Sequence, residues 1–203
     1  MATLRYISHP QVMIDPVVPV ERWHLSSEGK QRTQHLCRQP WIADVRHVVS
    51  SAERKALEVA QILAQFVGLQ VEVRSNTGET DRSSTGYVPH DVHEQLADEF
   101  FATPHLSAQG WERAVDVQTR MVNELADLLN STQDVVVVGH GAAGTLWYCW
   151  LAGLDIDRAH DQRSAGNFFA IDLSTGNLFT HGNPLISALS SWGPSNLRWY
   201  RPV

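Results

Sequence analysis

Two of the ten histidines in this 203-residue chain follow short apolar runs and stand where a strand would end. His9 follows Leu4, Tyr6 and Ile7 and precedes Pro10. His140 follows the four valines 135–138 and sits between Gly139 and Gly141. A third apolar segment, His47-Val48-Val49, runs into Ser50-Ser51, with Lys55 about one turn into the helix that follows. In open α/β sheets, ligands bind beyond the carboxyl ends of strands. If the three segments neighbour one another, the two histidines converge. A neutral histidine can attack phosphorus and carry the phosphoryl group as a phosphohistidine. The transfer needs donors for the equatorial oxygens and an acid for the leaving alkoxide. Helix N-termini supply N–H groups and a positive dipole. Glu79, in the polar loop Gly78-Glu79-Thr80-Asp81-Arg82, is the candidate acid. Ser8 and Ser51 are candidate phosphate donors, although Ser51 is equally suited to capping a helix.

The elements that would position these groups alternate between strand and helix periodicity, which predicts a sheet flanked by helices. Residues 3–8 read as a strand and 11–23 as a loop, and Ser26 or Ser27 caps a helix running to about Cys37. Ser50-Ser51-Ala52-Glu53 has the spacing of a capping box. Ala56, Val59, Ala60, Leu63 and Phe66 continue at helical spacing to Gly68, and 69–73 alternates as a strand, which completes a βαβ unit. Residues 76–90 read as loop, 91–101 as a short helix and 111–129 as a longer one with Ala114, Val117, Met121, Leu125 and Leu128 on one face. The valine run 135–138 reads as a buried parallel strand, and a helix spans 142–151. Residues 168–173 and 178–181 form a hairpin about Ser174-Thr175-Gly176-Asn177, and a tail with Trp192 and Trp199 covers the fold.

Composition narrows the function classes. With 43% hydrophobic and 19% charged residues the chain reads as one globular domain over 1–203. The net charge of −6 and the lack of a Lys/Arg run argue against nucleic acid and against an anionic membrane surface. Neither a secretory leader nor a membrane span is visible. Cys37 and Cys149 suggest no disulfide framework and fit a reducing, cytoplasmic setting. No H-E-x-x-H, zinc-spaced Cys/His cluster or G-x-S-x-G elbow occurs, so no metal or other cofactor is expected. Gly139-His140-Gly141-Ala142-Ala143-Gly144 does match the G-x-G-x-x-G dinucleotide fingerprint. Against that reading, little chain follows it, and no acidic residue ends a strand about 20 residues on.

Taken with Leu25-Ser26-Ser27-Glu28-Gly29 and Ser50–Ala60, these motifs resemble those of the histidine phosphatase superfamily, the phosphoglycerate-mutase-like phosphatases. The resemblance implies a three-layer α/β sandwich, with a mostly parallel sheet and helices on both faces. It implies a metal-independent phosphatase acting on a small phosphorylated molecule. His9 matches the nucleophile, Glu79 the proton donor and His140 the second histidine that binds the phosphoryl group. The chain departs from the family's Arg-His-Gly, having Ser8-His9-Pro10, and carries Lys55 where the family has its second arginine. Lysine keeps the charge and loses the bidentate fork, and Pro10 has no N–H. Arg5 and Arg82 are candidates to restore the missing charge. The departures also favour a second reading, a weakly active or inactive protein of the same fold that binds a phosphorylated ligand. Phosphomutase activity uses similar residues, but no feature argues for rebinding an intermediate.

Overall fold

The computed structural model describes residues 2–162 and 164–184; the tail tryptophans Trp192 and Trp199 lie outside them. The elements in chain order are β1 (Thr3–Ser8), α1 (Ser27–Leu36), β2 (Val45–Ser51), α2 (Arg54–Val67), β3 (Val71–Arg74), α3 (His90–Ala102), α4 (Ala114–Leu125), β4 (Asp134–Gly139), α5 (Gly141–Ala152), β5 (Asn167–Asp172) and β6 (Leu178–Pro184). The six strands form one sheet in the order β3-β2-β4-β1-β5-β6. The first four are mutually parallel, while β5 and β6 run antiparallel to their neighbours. None of the described helices is long and apolar enough to cross a membrane.

The period of two in the strands builds a core on each face. Leu4, Tyr6, Val49, Val135, Val137, Phe169 and Ile171 point to the face covered by α3, α4 and α5. Ile7, Val48, Val136, Val138 and Phe168 point to the face covered by α1 and α2. Burial on both sides is why β4 reads as an unbroken valine run. Helix α2 lays Ala56, Val59, Ala60 and Leu63 on the sheet, all fully buried, and stops at Gly68, whose φ of 73° is left-handed. Helix α1 begins where Ser26 accepts from the Gly29 N–H.

Two local expectations are corrected. The Ser-Ser-Ala-Glu capping box does not form: Glu53 is itself the N-cap of α2, and its carboxylate turns away to other partners. The long helix begins at Ala114 rather than Trp111 and tightens into a 3-10 turn over Ala126–Asn130. Trp111 belongs to the preceding loop, where its indole N–H bonds the Thr85 hydroxyl at 2.9 Å.

The pairing β2-β4-β1 sets the site. Register pairs Ser8 with Gly139 and Ser50 with Val138, so three parallel strands end at one edge of the sheet. The Gly139–Gly144 pattern belongs to this packing. A Cβ at Gly139 or Gly144 would come within 2.2 or 2.3 Å of the Tyr6 side chain. Tyr6 fills that space, stacks on Phe169 at 5.3 Å and uses its hydroxyl to accept from the His140 N–H and donate to the His140 C=O. In an open helix, glycine to alanine gains up to about 1 kcal/mol. Here Gly144→Ala overpacks a full core and should instead lower stability by about 1–3 kcal/mol, read as an earlier urea midpoint at unchanged slope.

Candidate active site

His9 leaves β1 with its N–H bonded to the Gly139 carbonyl at 3.0 Å, which ties it to the start of the loop that carries His140. Its Nδ1 lies 2.9 Å from the Pro10 carbonyl oxygen. A carbonyl can only accept, so Nδ1 carries the proton and Nε2 keeps its lone pair. Burial, together with nearby His140 and Lys55, pushes the His9 pKa down to about 3. The ring is therefore neutral through the physiological range. Pro10, which costs the site an N–H, supplies the carbonyl that fixes this tautomer.

His140 caps the start of α5 and is fully buried. Its ring stands edge-on to His9 with centroids 5.4 Å apart. Nε2 meets the Ser51 hydroxyl at 2.7 Å and lies 3.5 Å from Glu53 Oε1. Nδ1 is buried with no hydrogen-bond partner. Burial lowers the pKa of the ring, against the pull of Glu53 and Glu79. The two histidines expected to converge do so.

Glu79 also reaches this edge, held in an unexpected way. Its carboxylate accepts from Ala143 N–H at 3.0 Å, Ala142 N–H at 3.3 Å and Thr80 N–H at 3.0 Å. Burial pushes its pKa up, but His140, Arg82 and the Thr80 N–H outweigh this and hold it below the usual carboxylate range. Glu79 is thus the anion at the N-terminus of α5, the place that the free helix end offered to a phosphate. The same geometry leaves no room for a dinucleotide on the glycine loop: Glu79 holds its N–H groups, and Tyr6 and Gln162 fill the space beside Gly139, Gly141 and Gly144.

Glu53, which sequence reasoning took for a helix cap, joins the whole cluster. Its Oε1 accepts the Glu79 N–H at 2.6 Å, and its Oε2 is paired with the Lys55 ammonium at very short range. Burial opposes ionisation, but His140, Lys55 and the Glu79 N–H bring its pKa down to about 2. Lys55 gives a further bond to the Val20 carbonyl at 2.9 Å. Its charge is spent on Glu53. Ser8 is likewise engaged: its hydroxyl lies 2.6 Å from Gln162 Oε1 and accepts the Asn167 N–H at 2.9 Å, which joins β1 to β5. Arg5 lies mid-strand in β1, its guanidinium turned back to Asp134 at the start of β4 at 2.9 Å and over the Trp41 ring, and cannot serve the site.

A cavity of about 460 Å3 lies beside His9, with Glu79, Arg82, His93, Arg158 and Gln162 on its wall. Arg158 is bound to Glu94 and Asp98 at 2.8 and 2.9 Å. Arg82 stacks over Trp111 at 5.4 Å and bonds His93 Nε2, a neutral acceptor. Among the described residues, Arg82 is therefore the cation on this wall without a carboxylate partner. His93, Arg158 and Gln162 lie too far from the motifs in sequence to have been singled out. No group of three or more His, Cys, Asp or Glu among the described residues is placed to hold a metal ion.

The Glu53–Lys55 pair makes a sharp stability test. Glu53→Leu leaves a buried ammonium uncompensated and should cost about 3–5 kcal/mol, whereas replacing both partners with Glu53→Leu and Lys55→Met should recover most of it. Denaturant midpoints of the wild type, single and double variants measure the difference.

The model of the histidine phosphatase superfamily (branch 1) matches residues 20–168, a span that begins beyond His9 and includes Glu79 and His140. Among solved structures, mycobacterial hydrolase 1 superposes with a TM-score of 0.73 at 21% identity, covering 90% of this chain and 99% of that one. Mycobacterial glucosyl-3-phosphoglycerate phosphatase with inorganic phosphate gives 0.74 at 20% identity, covering 91% and 99%. Phosphoserine phosphatase from Entamoeba histolytica with 3-phosphoglyceric acid gives 0.71 at 16% identity, covering 90% and 98%. At these identities the likeness is one of fold. No curated protein sequence matches. The family match over most of the chain and the shared α/β architecture lead to one conclusion: the chain belongs to branch 1 of the histidine phosphatase superfamily.

Proposed function

We propose that the chain is a phosphatase that hydrolyses a phosphomonoester without a metal ion, through a phosphohistidine on His9. The observation that carries this reading is the Nδ1–H bond to the Pro10 carbonyl, which leaves a neutral ring with Nε2 bare. A nucleophile needs that lone pair free and aimed. The solved neighbours whose names give an activity as phosphatases support the reaction class.

In the first half-reaction Nε2 bonds to phosphorus and the bond to the ester oxygen breaks. Arg82 meets the equatorial oxygens with the charge that Ser8 and Lys55 do not give, and His140, edge-on to His9, assists in binding the phosphoryl group as a neutral ring. Glu79 rests ionised, so the proton for the leaving oxygen must arrive with the substrate. A phosphomonoester loses its second proton near pH 6. Its monoanion hands that proton to Glu79, whose affinity for it rises beside the incoming negative charge, and Glu79 passes it to the leaving oxygen. In the second half-reaction the ionised Glu79 accepts a proton from water as the water attacks phosphorus and the N–P bond breaks.

A second reading, ligand binding without turnover, is favoured by one observation: Glu53 holds the ammonium of Lys55 away from any ligand. Hydrolysis of p-nitrophenyl phosphate in EDTA separates the two readings. The phosphatase reading expects turnover that survives EDTA and falls at least about a thousandfold in His9→Ala. Equal rates in wild type and variant overturn the role of His9. No turnover on a panel of phosphomonoesters, with inorganic phosphate bound in calorimetry, upholds the second reading.

The proton route fixes the pH dependence. His9 is neutral above about pH 3, so the acid limb lies low. The kcat/KM should fall about tenfold per pH unit above about pH 6, as the substrate monoanion disappears. A plateau reaching beyond pH 7.5 would mean that Glu79 draws its proton from another source.

A further inference from the structure

The cavity beside His9 does not end at Arg82. Arg82, His90 and His93 are shared with an adjoining recess of about 200 Å3. The rest of that recess is apolar, with Ile14, Val20, Trp23, Tyr87 and Val88 on its wall. It is built rather than collapsed. The Trp23 indole N–H donates to the Asp15 and Val18 carbonyls, both at 3.0 Å. Lys55 fixes Val20 through its carbonyl. The Trp23 and Tyr87 rings meet at 5.9 Å and 55°. Large apolar side chains left in solvent gather on the same two segments: Ile14 is 61% exposed, Met13 54% and Tyr87 41%. Exposed apolar surface in one place marks a site for an apolar ligand.

A wider space of about 720 Å3 shares Val20, Arg82 and Tyr87 with the recess and has Glu21, Glu53, Glu79 and Asp81 on its wall. Carboxylates along that wall repel a second anionic group on the substrate. They leave the apolar recess as the seat for whatever the phosphoryl group is attached to. An apolar cavity of about 150 Å3 takes up benzene, so the recess suits one aromatic ring on a short linker.

We propose that the leaving group of the substrate is an uncharged alcohol bearing an aryl or similarly bulky apolar group. It packs between Ile14, Val20, Trp23 and Tyr87 while the phosphoryl group sits between His9 and Arg82. This rests on the phosphatase reading for its chemistry, but the recess can be tested without turnover.

The direct test compares 2-phenylethyl phosphate with ethyl phosphate, whose leaving alcohols are alike in chemistry and differ in the ring. The expected kcat/KM ratio is at least tenfold in favour of the aryl ester, as burial of one ring gives, and it lies in KM. In Ile14→Ser and Tyr87→Ser the ratio should approach one, while Leu106→Ser, an exposed apolar residue elsewhere, should retain it. The anionic 3-phosphoglycerate should be no better than ethyl phosphate. Equal kcat/KM for the two alkyl esters, a ratio unmoved in Tyr87→Ser, or a preference for 3-phosphoglycerate overturns the proposal and leaves the phosphatase reading standing. If no ester is hydrolysed, calorimetry with 2-phenylethylphosphonate and ethylphosphonate decides. Tenfold tighter binding of the aryl phosphonate, lost in Tyr87→Ser, upholds the recess while the phosphatase reading fails. Equal affinities, or binding of neither, overturn the recess as well.

Discussion

A buried carboxylate and a buried ammonium must find each other, because either alone costs several kcal/mol to desolvate. Glu53 and Lys55 meet that constraint at the start of α2, and the rest of the site is arranged around them. The second oxygen of Glu53 holds the Glu79 N–H and lies beside the His140 ring. The free donor of Lys55 holds the Val20 carbonyl, which anchors the 11–23 loop against α2. One ion pair thus joins the acid loop, the second histidine and the wall of the apolar recess. A change at position 53 or 55 reaches all three.

The same constraint redistributes charge. Of the two helices that open at the active edge, α5 has the Glu79 carboxylate on its N-terminal N–H groups, while Glu53, the N-cap residue of α2, turns its carboxylate to Lys55 and the Glu79 N–H. A helix end that offers its N–H groups to a phosphate must have them free, and at α5 they are taken. The positive groups are correspondingly reduced, since Lys55 is neutralised and Ser8 is committed to joining β1 and β5. What remains on the wall of the His9 cavity is Arg82, 5.4 Å from the Trp111 ring centre, while the Nδ1 of His140 is buried without a partner. This is a weaker cradle than two arginine forks, because each charge-assisted bond is worth roughly 1.5–3 kcal/mol.

How legible the site was in the sequence follows from the range of each signal. Periodicity is local and strong, so the strand ends at Ser8, Ser51 and Gly139 could be placed, and three parallel strands could be expected to bring His9 and His140 together. What a side chain does at a strand end depends on partners far away in the chain. The Ser-Ser-Ala-Glu spacing is that of a capping box, but Lys55 and the Glu79 peptide outcompete the helix end for the Glu53 carboxylate. Arg5 and Arg82 were indistinguishable as replacement charges until register placed Arg5 against Val136, well back along the strand from Gly139. The G-x-G-x-x-G run matched a ligand fingerprint, yet its glycines make room for the ring of Tyr6, 133 residues before Gly139 by their numbers. No local pattern carries that information.

Ser8-His9-Pro10 and Lys55 are better understood together than as separate losses. With Ser8 uncharged and Lys55 neutralised by Glu53, the carboxylate of Glu79 is left on the cavity wall beside a neutral His9. A fully ionised phosphate dianion entering that site meets one cation without a carboxylate partner, Arg82, and the nearby Glu79 anion. A monoanion brings half the charge and also carries the proton that the depressed Glu79 lacks. On the proposed reading, the substitutions that weaken the cradle and the ionised acid loop therefore act in the same direction. They tune one site to the protonated form of its ester, with the binding energy that the missing arginine would have supplied coming instead from the apolar recess between Ile14 and Tyr87.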